Sequence, residues 1–540
     1  MTRAGRRRAS RYAVMLLPVG ALEWVYSARC RLAVMKARGG PDRYGFGKRS
    51  NDRAKSAIQT IVAGLAATIL VLGAKASAQE TEPSDTFRYR LLYSLEAGSE
   101  VRVEIRWGTP LDAPGTFVMP RAIPMGYGEQ PYDRFLRQAR AFSGDGVESL
   151  LEREEGPRWL VPAGSVGLRY AVDLEALERK VLSASDQSRR REGYVGLLGY
   201  SVFGYLEGRR QSSASLLVEA PSGWPIHATL GPSWPVRRDR VEASAANFYA
   251  LADSQIAMGP RAEVRRLIAQ PVPVYLVSYA EGRVDLDVVG GLAATAFERV
   301  LDYFVTAPFE HYTLHLELLD PISDEHEYGF SMEHLDSSTY YLDASRGLTE
   351  ESTAEEQRRF LYNFAHHIVH SWVPKRAHGH GYFPFSWELA PVLDTIWFSE
   401  GFGQYAAAVA VAAGEDDPEA YREWVLSRRF RSNLASAPQF LRELSLVELS
   451  RVASTRYGQD FRTGRLVFSR GGLMAAEVDD TIRAQTGGER SLRDALRYLV
   501  DWTEEHPFGF DDISDLVDLI EAATGADIGE VVDRWLAPLP

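Results

Sequence analysis

The sequence predicts a multidomain α+β protein: a β-sandwich-like N-terminal domain, a mixed central domain and a helical C-terminal region. Three observations carry that prediction. Between about residues 85 and 260, apolar and polar side chains alternate with a period of two, as they do in half-buried strands. From about residue 265 strand-like runs flank a helix-like one, and after residue 350 nearly all periodicity is helical. At 540 residues the chain is also too long for one compact core. No repeat of solenoid or propeller period is present.

Residues 1–78 stand apart from the rest. They carry 15 Lys+Arg against 3 Asp+Glu, leaving 46 against 70 for the remainder, a net charge of −24. A body that acidic excludes a nucleic-acid partner, because phosphate binding needs clustered positive charge. Arg53 and Lys55 precede an apolar run from about Ile58 to Gly73, which ends in Ala76-Ser77-Ala78 just before Gln79. This is the pattern of a secretory signal peptide, and the expectation is export to a periplasmic or extracellular location with cleavage near Ala78/Gln79. The run is also nearly long enough to be an uncleaved anchor; with the signal removed, no stable membrane span is expected. Met35 is a candidate true start. Cys30, the only cysteine, lies in this segment, so the body has neither a disulfide nor a thiol nucleophile.

Residues 79–262 form the expected β-rich domain, with strands in "FRYRLLYSLE", "EVRVEIRWG", "VGLRYAVDL" and "SASLLVEAP" separated by Gly/Pro-rich turns. In residues 263–415, "VPVYLVSYA" and "YTLHLELLD" read as strands on either side of the helix "GGLAATAFERVLDYFV". Ser352-Thr353-Ala354-Glu355 reads as a capping box opening a helix. That helix has an apolar stripe at Leu361, Phe364, Ala365, Ile368 and Trp372, and Pro374 ends it. Residues 416–540 are helical, with "SLRDALRYLVDWTEE", "DISDLVDLIEAAT" and "IGEVVDRWL" as their clearest segments.

The chemistry lies in "NFAHHIVHSW", residues 363–372. His366 and His370 are four apart and project from one helix face, away from the apolar stripe. Two imidazoles so placed can bind one zinc ion, and a catalytic zinc needs a third protein ligand. Glu400, in the otherwise apolar "DTIWFSEGFGQYAAAVAVAA", is the better candidate, because a carboxylate there is costly unless paired or bound to a cation. His378 and His380 are the other candidates. A three-histidine site of the metzincin kind would place its third histidine six residues after His370, where Arg376 stands.

At these residues the sequence resembles the glycyl aminopeptidase family of gluzincin metallopeptidases. The family pattern resembles His-Glu-x-x-His-x-Trp-x-x-Lys-Arg followed by Trp-x-Ser-Glu-Gly-Phe; here "HHIVHSWVPKR" and "WFSEGF" stand, with a 30-residue step from His370 to Glu400. "FVMPRAIPMGY", "NFYALADSQIAMG", "YGFSMEHLDSST" and "TIRAQTGGERSLRDALR" resemble further family stretches, so the likeness covers about residues 85–540. It implies a β-rich N-terminal domain, a thermolysin-like zinc metallopeptidase domain, and a zinc ion held by His366, His370 and Glu400. The C-terminal PDZ domain usual in the family is not expected, since the sequence stops where it would begin.

Two departures fall on the machinery itself. The family's general base, the glutamate after the first histidine, is His367 here. The tyrosine that resembles the oxyanion donor of related aminopeptidases is Phe468, in "FSRG". Such groups are typically worth about 10²–10⁴ and 10²–10³ in rate. His367 could serve as a substitute base or approach the metal as a further ligand. Glu333 in "SMEH" corresponds to the glutamate that would meet a substrate's amino group, and is otherwise an edge-strand carboxylate. His334, Lys375 and Arg376 match family positions but suit structural roles, and Arg470 would keep a positive charge where the family has lysine. The resemblance thus implies an exported aminopeptidase acting on peptide N-termini, with hydrolysis weakened or altered. Its alternative is a pseudoenzyme that keeps the cleft to bind peptides or a protein partner.

Overall fold

Alternation builds the N-terminal half. In the computed structural model, Phe87–Tyr93 buries Phe87, Tyr89, Leu91 and Tyr93, and its neighbour Glu100–Arg106 buries Val101, Val103 and Ile105. The structure describes residues 86–539 apart from 124–125, 182–186, 231–238, 325, 384 and 459. The expected signal segment and Met35 lie outside the described residues. These two strands are central in a seven-stranded sheet, flanked on one side by Ala214–Glu219 and Arg240–Ala245. On the other side lie Ser165–Asp173, Leu136–Ser143 and Glu148–Leu150. Two four-stranded sheets pack with it, and Leu91, Phe117, Trp159, Val195 and Ile256 share one apolar core across all three. This is the sandwich-like arrangement that the alternation predicts.

The pattern switches at residue 263, where a separate five-stranded sheet begins, ordered Glu263–Ile268, Val274–Ala280, Tyr312–Leu319, Ser337–Asp343 and Gly329–Glu333. Its three middle strands are parallel and Gly329–Glu333 is an antiparallel edge. The helix Leu286–Phe304 connects two of the parallel strands. Every residue of Tyr312–Leu319 is buried, as expected of a strand covered on both faces. Leu314, Leu316 and Leu318 join the helix-side core, while His315 and Glu317 face the β-rich half and meet His227 and Arg189.

The helix bearing the histidines spans Ala354–Val369. Its capping box is formed one residue later than expected: Thr353 Oγ1 accepts from Glu356 N at 3.2 Å, and Glu356 Oε2 accepts from Thr353 N at 2.8 Å. Ser352 instead accepts from Thr349 N, closing the preceding turn. The helix also ends earlier than expected, at Val369 with His370 as C-cap. Trp372 therefore lies beyond it, stacked on Phe304 with ring centroids 4.7 Å apart.

Glu400 lies in a widened π turn, Trp397–Phe402, that runs into the α-helix Gly403–Ala412. Such turns carry an extra residue per turn and often mark functional sites. Gly401 crosses the long helix Phe461–Gln485 at Gly471; a Cβ on Gly401 would lie 2.4 Å from Gly471 backbone atoms. Two glycines in register thus let the Glu400 segment and the Phe468 helix approach closely. The described residues belong to one compact unit, Glu82–Pro540. Among them no helix is long and apolar enough to cross a membrane.

Candidate metal centre

Four segments distant in sequence meet at the histidines. His366 Nε2 and His370 Nε2 lie 3.2 Å apart. Glu400 Oε2 lies 3.7 Å from the first and 3.5 Å from the second. A zinc ion bonded at about 2.1 Å to tetrahedral ligands holds them about 3.4 Å apart, so these three donor atoms are spaced as one small cation requires. All three side chains are buried.

The surrounding contacts aim the donors. His370 Nδ1 donates to the carbonyl of Val373 at 2.7 Å, which fixes the proton on Nδ1 and leaves the Nε2 lone pair facing His366 and Glu400. Tyr127, from the β-rich half, donates its hydroxyl to Glu400 Oε1 at 3.1 Å, leaving Oε2 for the centre. Beneath it Tyr382 and Ser399 share a hydroxyl bond of 2.7 Å. The charge balance also asks for a cation. Burial works against it, yet the carboxylates of Glu333 and Glu400 hold the His370 imidazole up to about 9. Against its own burial, Glu333 is held down to about 2, chiefly by His370 and His367. Two carboxylates and two imidazoles thus converge on one point, and this donor set fits a divalent cation.

His367 leaves the helix beside this trio. Its Nδ1 lies 3.5 Å from Glu333 Oε2, and its ring meets Tyr340 edge-on at 5.5 Å. Donor nitrogens of His366, His367 and His370 lie within 4.8 Å of one another, as do donor atoms of Glu333, His370 and Glu400. Both residues therefore border the centre. They line a cleft of about 250 Å³ with Tyr127, Gln404, Tyr457 and Phe468. Phe468 presents an apolar ring to that cleft, 6.5 Å from the ring of Tyr127.

Other sequence candidates fall elsewhere. His378 bonds the backbone carbonyls of Pro374 and Pro507, and His380 is exposed beside Asp511. His334 Nδ1 and Lys375 Nζ lie 3.2 and 3.7 Å from Asp253 Oδ1, a buried cluster behind the sheet. Arg376 binds the carbonyls of Leu335, Ser371 and Pro308. Arg470 does not bring its charge to the cleft: it is buried and donates to the carbonyls of Leu444, Trp535 and Ala537. Sequence reasoning missed Tyr127, although it ends the quoted stretch "FVMPRAIPMGY", because its partner lies 273 residues away.

Comparisons with known proteins bear on the family and the fold. The family model of the Peptidase M61 N-terminal domain matches residues 88–260, and that of M61 glycyl aminopeptidase matches residues 359–458. An aminopeptidase N family protein from Idiomarina loihiensis superposes with a TM-score of 0.73 at 19% identity, covering 84% of this chain and 76% of that one. An M1 zinc metallopeptidase from Deinococcus radiodurans, a mutant bound to a Tyr-Ser-Ala substrate, superposes with a TM-score of 0.51 at 14% identity. That match covers 85% of this chain and 95% of the other. No curated protein matches the chain in sequence. Fold and family together define a glycyl-aminopeptidase-like scaffold. The chain belongs to the M61 glycyl aminopeptidase family, and membership implies zinc.

Proposed function

We propose that His366, His370 and Glu400 hold the zinc ion and that the protein acts, after export, as a weakened aminopeptidase on peptide N-termini. The observation that carries this reading is the 3.2–3.7 Å spacing of the three donor atoms. Export rests on the signal-like segment alone. Zinc bound there would supply Lewis acidity toward a peptide carbonyl and toward water.

The chain's own residues then divide the remaining work. His367 takes the proton at Nε2, because Glu333 faces Nδ1 and favours the tautomer with its proton there. Glu333 keeps Oε1 for the amino group of the substrate. Phe468 excludes water from one wall of the cleft and offers no hydroxyl. The cleft, about 250 Å³, suits a small N-terminal residue better than a long side chain.

The rival reading, a binder of peptides or of a protein partner, draws on one observation: neither His367 nor Phe468 is the group that the family uses. A rate comparison on glycyl and alanyl arylamides at matched zinc loading separates the two. Wild type should cleave slowly, His370→Ala not at all, and the double variant His367→Glu/Phe468→Tyr faster by on the order of 10²–10⁴. Cleavage by the double variant with none by wild type would make the protein a binder.

A further inference from the structure

We propose that Tyr457 supplies to the reacting carbonyl oxygen the hydroxyl that Phe468 lacks. The assignment rests on the zinc aminopeptidase reading above and adds a catalytic residue to it.

Hydroxyl bookkeeping isolates Tyr457. Among the described tyrosines near the centre, Tyr127 donates to Glu400 Oε1, Tyr382 is bonded to Ser399 Oγ, and Tyr340 packs against His367 without lining the cleft. Tyr405 donates to Asp479 Oδ2 at 2.8 Å and accepts from Arg422 Nε at 2.9 Å, away from the cleft. Tyr457 lines the cleft with Glu333, His366, His367 and Glu400, and among the described residues no hydrogen bond to its hydroxyl is formed. Burial, and then the charges of Glu400 and Glu333, push that hydroxyl well above its ordinary range, so it keeps its proton as a donor must.

The seat of the ring is built for it. Tyr457 caps the helix Leu446–Arg456 and folds back over the first turns of Phe461–Gln485. Phe461, Gly464 and Phe468 are spaced i, i+3, i+7, so they share one helix face. The Tyr457 ring lies 4.9 Å from Phe461 and 5.6 Å from Phe468, centroid to centroid, and meets Tyr127 edge-on at 5.8 Å. Between the two phenylalanines a Cβ on residue 464 would fall 2.2 Å from Tyr457 Cε2 and 2.3 Å from Cδ2. Only a glycine at 464 leaves room for the ring. The helix that presents Phe468 to the cleft therefore seats the phenol of Tyr457 directly against that ring.

Binding, rather than turnover, tests this. Zinc-loaded full-length wild type, Tyr457→Phe and Tyr457→Phe/Phe468→Tyr are titrated calorimetrically with a phosphinic analogue of glycyl-alanine and with glycinamide, and zinc per chain is measured in each. The phosphinic group mimics the tetrahedral oxyanion; glycinamide has none. Tyr457→Phe should lose on the order of 10² in affinity for the analogue, with glycinamide affinity and zinc content unchanged, and Phe468→Tyr should restore part of the loss. Unchanged analogue binding by Tyr457→Phe, or an equal loss for both ligands, would overturn the assignment. Zinc-loaded wild type that fails to bind the analogue would do so too. Wild type that takes up no zinc would instead sink the underlying zinc reading, and this assignment with it.

Discussion

His367 Nδ1 stands 3.5 Å from Glu333 Oε2, joining the residue at the family's base position to the residue expected to meet the substrate's amino group. Neither position was expected to touch the other. The helix delivers His367 in its last turn and the edge strand Gly329–Glu333 delivers Glu333 at its end, so an imidazole here has a carboxylate partner that a glutamate would repel. The pair explains how histidine is tolerated at this depth.

A double-mutant cycle measures that pairing. In the metal-free protein, Glu333→Gln and His367→Gln should each destabilise by about 1–3 kcal/mol, and the double variant by clearly less than their sum. Urea unfolding of the four proteins gives the coupling; strict additivity would show that the contact carries no energy.

Tyr127 acts on the centre through Glu400. Tyr127→Phe removes the 3.1 Å hydroxyl bond to Oε1 and leaves every proposed zinc ligand in place. Zinc affinity should fall by about 10–100-fold, as for other contacts that orient a ligand. Competition with a chromogenic chelator reads it directly, and an unchanged affinity would count against this role.

Gly464→Ala sets two effects against each other. Alanine inside a helix gains roughly 0.5–1 kcal/mol over glycine, but overpacking a ring costs about 1–3 kcal/mol. With contacts near 2.2 Å to the Tyr457 ring the clash wins, and the ring moves. The variant should keep its zinc and lose affinity for the phosphinic analogue as Tyr457→Phe does. Wild-type affinity in Gly464→Ala would mean that the ring's seat is unimportant.

Arg189 fastens the β-rich half to the five-stranded sheet. It is fully buried, pairs with Glu317 of Tyr312–Leu319 and with Glu178 at 3.5 Å, and lies 4.1 Å over the Tyr341 ring. Glu317→Gln weakens one arm of a buried network and should cost about 3 kcal/mol. Glu178 adds a pH dependence. Burial opposes its ionisation, but the guanidiniums of Arg191 and Arg189 prevail and hold its carboxyl below the ordinary value of 4.5. Its contribution is therefore complete above the unfolded value and is lost as pH falls through the lower folded one. Glu178→Gln should lower Tm at about pH 6 and converge on wild type as the pH falls through the lowered folded value. A gap that widens in acid would contradict the assignment.

The strands were legible because a period of two reports burial directly, wherever along the chain the partner strand lies. The His366/His370 spacing was legible because one helix turn fixes it. Glu400 could be found from its oddity, a carboxylate in an apolar segment. Other features depended on partners far along the chain. Nothing local marks Tyr127 as a partner of Glu400, or Arg470 as a clasp for the C-terminal carbonyls rather than a charge at the cleft. The capping box slipped by one residue because Ser352 and Thr353 are both good caps, and Glu355 and Glu356 both good partners. The π turn at Glu400 and the Gly401–Gly471 crossing arise from helix packing, which no single segment announces.

The most direct measurement is zinc per chain, by elemental analysis after dialysis against trace zinc, for wild type, His370→Ala, Glu400→Gln and the exposed control His380→Ala. The account predicts one zinc in wild type and in His380→Ala, and essentially none in the other two. Wild type without zinc, or His370→Ala and Glu400→Gln that retain the wild-type level, would contradict it.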